Sequence, residues 1–164
     1  MLNFLKKTKL HPYRAFSSGL SMAPGVEAAL RAKYNMKDSS LDRYLQEQVI
    51  IVDEHDRFLG NLSLLESHLV ENADQKNIIH RAFSVFIFNQ KNELLLQQRS
   101  DGKMAFPGMW TNSVCSHPLF NLNEHADLLN GTKAGAKRRT NDELNQDLDL
   151  EKFKFVDKIY YKAQ

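Results

Sequence analysis

The sequence predicts a single α+β domain, a mixed sheet sandwiched by helices, preceded by a leader. Three observations point there. The 164 residues amount to about one domain. Short apolar or alternating runs separated by Asn, Asp and Gly turns recur from residue 48 to 117, as hairpin strands do. A stretch with helical character then fills 132–144, and a last alternating run follows. Hydrophobic residues make up 42% of the chain, enough to bury a core, which excludes a wholly disordered protein. A lone cysteine excludes a disulfide scaffold. The longest nearly apolar run, 82–88, is far too short to span a bilayer.

Residues 1–26 form the expected leader. They carry Lys6, Lys7, Lys9 and Arg14 and no acid, with Leu2, Phe4 and Leu5 at the front. This composition suits a mitochondrial presequence, and Arg14-Ala15-Phe16-Ser17 suits matrix cleavage. A frayed basic tail in a cytoplasmic or peroxisomal protein is the alternative. Beyond it, 18 basic and 20 acidic residues remain, a balance that argues against nucleic acid as a partner. The domain is expected over 27–164.

Within it, 26–34 has helical character, and Asp38-Ser39-Ser40 is expected to cap a short helix over 41–46. Gln48–Val52 reads as a strand, 53–56 as a turn and 58–62 as its partner. An irregular loop with one short helical piece is expected over 63–79. The run 81–88 is apolar on both alternating faces, as in a strand covered on both sides. Asn89–Asn92 is a hairpin turn, 93–99 the returning strand, and Phe106-Pro107-Gly108 a loop. Residues 110–117 read as extended, 132–144 as a helix capped by Thr132, and 153–161 as the last strand. Oligomeric state is not legible.

Taken singly, the polar residues carry weak signals. His68, His80 and His117 are potential metal ligands or simply hydrogen-bonded histidines. Cys115 and His117 share one face of an extended segment, which suits a reactive thiol, although a small buried hydrophobe is the commoner use of cysteine. Arg99 and Lys103 clamp an anion or decorate a solvated turn. Arg138 and Asp142, like Arg139 and Glu143, are four apart, as surface ion pairs are; the other use of such a carboxylate is to hold Mg²⁺.

Their order is more specific. His80-Arg81-Ala82-Phe83-Ser84-Val85, Leu94-Leu95-Leu96-Gln97-Gln98-Arg99-Ser100, Phe106-Pro107-Gly108 and Trp110-Thr111-Asn112-Ser113-Val114-Cys115-Ser116-His117-Pro118 together resemble the type I isopentenyl-diphosphate isomerases, a branch of the Nudix fold. Arg138-Arg139-x-x-x-Glu143-Leu144 resembles that family's form of the Nudix box, and Tyr160-Tyr161-Lys162-Ala163 the strand after it. The resemblance implies interconversion of isopentenyl and dimethylallyl diphosphate. It assigns proton transfer to Cys115 with help from Tyr161, diphosphate contacts to Arg99, Lys103, Ser116 and Arg139, and Mg²⁺ to Glu143. It also assigns a second divalent metal, Mn²⁺ or Zn²⁺, to His68, His80 and His117.

Three departures accompany it. The family's Glu-x-Glu pair beyond the tyrosine does not occur between Tyr161 and Gln164, so an incomplete fold and an impaired chain are expected. Leu64 stands where a phosphate-binding lysine is usual, and Asn145 where the helix is followed by glycine. A Nudix pyrophosphohydrolase is the competing enzyme, but its first-half glutamate falls on Asn130. A non-catalytic prenyl-diphosphate-binding relative is the other alternative.

Overall fold

A computed structural model describes residues 38–69, 72–73, 77–103 and 106–161, with positions 28 and 32. The expected leader lies outside the described residues, as does most of the helical stretch 26–34. Helix α1 (Asp38–Gln46) leads into strand β1 (Gln48–Val52), which is flanked by β2 (Phe58–Ser63) and the short β3 (Ile79–His80). Val49 to Val52 are all buried, because a central strand is covered on both faces. The β1–β2 hairpin closes on Asp53, whose carboxylate accepts the His55 and Arg57 amides at 2.9 and 2.8 Å. Asp56 takes the left-handed conformation that Asp tolerates there, at φ 64°.

Ser63 ends β2 and caps α2 (Leu64–His68). Its hydroxyl accepts the Glu66 amide while the Glu66 carboxylate accepts the Ser63 amide, a capping box that starts a helix of five residues. Leu64 is 4% exposed in the cluster of Val49, Ile51, Leu62, Ile78 and Leu119. Its side chain faces that core, not an anion.

A second pair, β4 (Phe83–Val85) with β7 (Val114–Ser116), places Phe83 opposite Ser116 and Ser84 opposite Cys115. A third, β5 (Gln97–Gln98) with β6 (Trp110–Thr111), stands beside it in sequence. Ser113 joins them by donating to the Leu95 carbonyl at 2.7 Å and accepting the Ile87 amide at 2.8 Å. A bridge between Val49 and Leu119 ties the β7 continuation to β1. Helix α3 (Leu128–Leu144) packs on β7 and β4 over a core of Phe83, Val114 and Ala136. The result is the expected α+β class; among the described residues the sheet segments are open and antiparallel, with helices against them, where one mixed sheet was expected.

Five expectations need correction. Helix α1 begins at Asp38, so Asp38–Ser40 are helical residues and do not cap from outside. The run 81–88 forms a ladder only at 83–85, with a single bridge from Phe88 to Leu94; Phe83 is buried and Val85 and Ile87 half-buried, but Phe86 and Phe88 are 56% and 58% exposed. Apolarity therefore marks one covered face, not two. Residues 93–99 join a ladder only at 97–98, aside from one bridge between Phe88 and Leu94; 153–161 form no ladder among the described residues, with Phe153 half-buried against the Phe83 core and 154–161 exposed. β-propensity does not supply a partner, and an apolar segment without one forms no strand. Finally, α3 starts at Leu128, capped by Asp127, whose carboxylate accepts the Asn130 amide at 2.8 Å. Thr132 is interior and donates to the Leu128 carbonyl instead.

Candidate metal and substrate site

Three elements deliver three imidazoles to one place. His68 is the last residue of α2, and the capping box fixes where that helix starts. His80 ends β3, held opposite Ile51 by pairing with β1. His117 follows β7, and the Val49–Leu119 bridge draws it toward β1. Ring centroids are 4.6 Å apart for His68 and His80, 5.1 Å for His68 and His117, and 5.0 Å for His80 and His117. One ligand nitrogen from each lies within 4.8 Å of the others.

The protonation chemistry suits a cation. His68 Nδ1 lies 2.8 Å from the Leu64 carbonyl, which only accepts, so the tautomer that serves as a ligand is the one with the hydrogen on Nδ1 and the lone pair on Nε2. Burial, followed by the neighbouring His68, pushes His80 down to about 4. Burial also holds His117 well below the usual imidazole range, with His80, His68, Arg43 and Arg139 adding to the shift. Both are neutral at pH 7 and offer lone pairs, and a three-imidazole donor set fits a divalent transition metal.

Cys115 lies two residues before His117 on β7. It is half-buried and lines a cleft of about 210 Å³ with Gln97, Gln98, Arg99, Ser100, Lys103, Thr111 and Glu143. Cys115 thus borders a cleft lined by polar residues, with the Ser84 hydroxyl 4.0 Å from its sulfur, and is not fully buried. Glu143 is held in that cleft by Gln97 Nε2 at 3.1 Å, Lys103 Nζ at 3.5 Å and a close contact with Arg139 Nη2. Burial pushes its carboxyl up, but the Gln97 hydrogen bond and the two cations outweigh this and leave it below the usual carboxylate range. Arg139 is shared with Asp142 at 3.4 Å, so the charge available to an anion is that of the lining residues Arg99, Lys103 and Glu143, which sum to one positive charge.

The other expected site residues divide. Arg99 and Lys103 line the cleft, and Arg139 reaches it through Glu143. Ser116 is 8% exposed, opposite Phe83, and is not among the lining residues. Tyr161 is 67% exposed at the end of the described chain and is not among them either. The four-residue spacing holds for Arg139 and Glu143. For Arg138 it gives only the weaker partner: Asp142 pairs at 4.0 Å, whereas Glu124 receives both Nε and Nη2 at 2.9 and 3.1 Å. Nothing periodic flags Glu124, which sits in a loop fourteen residues upstream. Gln97 had a usable signal, since it alternates with Arg99 on one strand face.

No family model matches the chain. Curated proteins do. The chain is 41% identical over 168 residues to isopentenyl-diphosphate Delta-isomerase II, chloroplastic, of Arabidopsis thaliana, covering 99% of this chain and 56% of that protein. It is 47% identical over 131 residues to isopentenyl-diphosphate Delta-isomerase 1 of Mus musculus, covering 77% and 57%. It is 41% identical over 153 residues to the isopentenyl-diphosphate delta-isomerase of Gibberella zeae, covering 89% and 60%. The chain spans somewhat more than half the length of these relatives. The Arabidopsis name shows that an organellar address occurs among them. No helix among the described residues is long and apolar enough to cross a membrane.

Proposed function

The chain is a relative of the isopentenyl-diphosphate Delta-isomerases, and from that premise we propose that it interconverts isopentenyl diphosphate and dimethylallyl diphosphate. The observation that carries the reading is the shared cleft: a thiol, two cations and an anchored carboxylate line one small cavity, and three imidazoles converge at the end of the strand that holds the thiol.

The chemistry demands such a place. An unactivated alkene is a poor base, so a positioned acid must deliver the proton while water is kept from the nascent tertiary cation. Cys115 and a second group on the other side of the substrate share two transfers: one delivers a proton to the terminal methylene carbon, and the other takes a proton from the carbon next to the cationic centre, where the double bond then forms. The resemblance assigns the part of the second group to an acidic pair that residues 1–164 do not contain, with Tyr161 assisting. Arg99, Lys103 and Arg139 bind the diphosphate, for which a planar guanidinium suits two phosphate oxygens at once. Ser116, buried as its side chain is, contributes through the backbone. Glu143 is the residue to hold Mg²⁺, which would neutralise diphosphate charge, and His68, His80 and His117 would hold a second divalent ion, Mn²⁺ or Zn²⁺. Residues 1–26 are proposed as a mitochondrial import leader; a reporter carrying them should enter mitochondria, and a diffuse cytosolic signal would refute the address.

The test is solvent exchange. With isopentenyl diphosphate and divalent metal in deuterium oxide, deuterium should appear in the recovered diphosphates, read by NMR. Cys115→Ala should abolish it. Exchange undiminished in that variant would remove the thiol from the chemistry.

A further inference from the structure

We propose that Arg138 and Glu124 are positioning residues that fix how the His117 imidazole is presented to the three-histidine cluster. This rests on reading that cluster as a metal site. Arg138 binds both carboxylate oxygens of Glu124, and its Nη2 also donates to the His117 carbonyl at 3.2 Å. Glu124 Oε2 accepts the Leu119 amide at 2.7 Å. The pair therefore grips the backbone on both sides of the fully buried Pro118, whose ring already restricts φ. With the peptides at 117 and 119 held, the direction of the His117 Cα–Cβ bond is held too.

The clamp is built into the packing. Glu124 is 6% exposed, so its charge is committed to these partners. Helix α3 lies close to the clamp at Gly135, where residue 135 has no side chain. A Cβ on Gly135 would stand 2.8 Å from Glu124 Oε2 and 3.3 Å from the Pro118 Cα. A surface ion pair with Asp142 would do none of this. A buried fork on a ligand's own peptide acts as outer-sphere groups do at metal centres, where they orient the ligand.

Cobalt(II) titration, followed by its visible absorption, tests the clamp in four proteins: wild type, Arg138→Lys, Glu124→Gln and Thr140→Ala. Arg138→Lys keeps a cation opposite Glu124 but loses the fork to His117. Thr140 is fully buried on the same helix, and its hydroxyl donates to the Ala136 carbonyl, not to the clamp. Both clamp variants should lose cobalt affinity by about 10–100-fold. Thr140→Ala should melt at a lower temperature yet bind cobalt like wild type. Folded clamp variants with wild-type affinity, or affinity that simply tracks melting temperature across all four, would overturn the inference. Should Glu124→Gln not fold, Arg138→Lys decides alone. Failure of wild type to bind cobalt would instead refute the metal-site reading, and this inference with it.

Discussion

Replacing Gly131 by alanine sets two effects of opposite sign against each other. In a helix interior, alanine is favoured over glycine by about 1 kcal/mol, because it loses less backbone entropy. Gly131 lies in the first turn of α3, where its amide donates to the Asp127 carbonyl at 2.7 Å. A Cβ built there would stand 2.0 Å from the Glu124 carbonyl oxygen and 2.6 Å from its carbon, whereas ordinary contact begins at 3.4 Å. Helix and loop must therefore part by more than an ångström. The obstacle is backbone, not the end of a flexible side chain, which puts the cost at or above the top of the usual overpacking range, about 3 kcal/mol. The net expectation is a loss of about 2 kcal/mol, or about 4–8 °C in Tm for a chain of this size. Urea titration and thermal melting by circular dichroism give both numbers. A Gly131→Ala protein as stable as wild type, or more so, would show that propensity prevails and that α3 does not press on the Glu124 loop as described.

Two further outcomes follow from the same contacts. Asp127→Ala should cost about 1 kcal/mol, the typical loss of an N-cap, whereas Thr132→Ala should cost much less; urea midpoints in the reverse order would return the helix start to Thr132. Stability of the metal-free protein should fall with acidity from about pH 6.5 toward 4. His80 and His117 bind protons less readily folded than unfolded, so below the unfolded value the unfolded chain takes up protons that the folded chain refuses. Carboxylates held low, Asp53, Asp127 and Glu143, add their own loss at lower pH. The slope between pH 6.5 and 4.5 should shrink in His80→Gln; an unchanged slope there would mean that His80 is not the refusing group.

Local signals were legible where one short segment determines its own structure. The β1–β2 hairpin and its Asp53 turn formed as read, and Asn145 ends α3 in the left-handed conformation, at φ 52°. The loop 63–79 does contain a short helix, because Ser63 and Glu66 are three apart and satisfy each other's neighbouring backbone. What the sequence hid depends on partners far along the chain. Phe86, Phe88 and residues 153–161 look like strand, yet pairing must come from elsewhere in the molecule. Arg138 looks paired to Asp142 because helical spacing is visible, while a loop glutamate fourteen residues away is not. Motif order brought out the three histidines; only tertiary pairing explains why they meet.

X-ray absorption at the zinc or manganese edge of the loaded protein addresses the centre itself. Histidine nitrogens should surround the metal, at about 2.0–2.1 Å for zinc. His68→Ala, His80→Ala and His117→Ala should each remove one nitrogen or abolish uptake. A metal that binds without histidine nitrogens, or whose shell is unaltered by all three substitutions, would contradict the proposed metal centre.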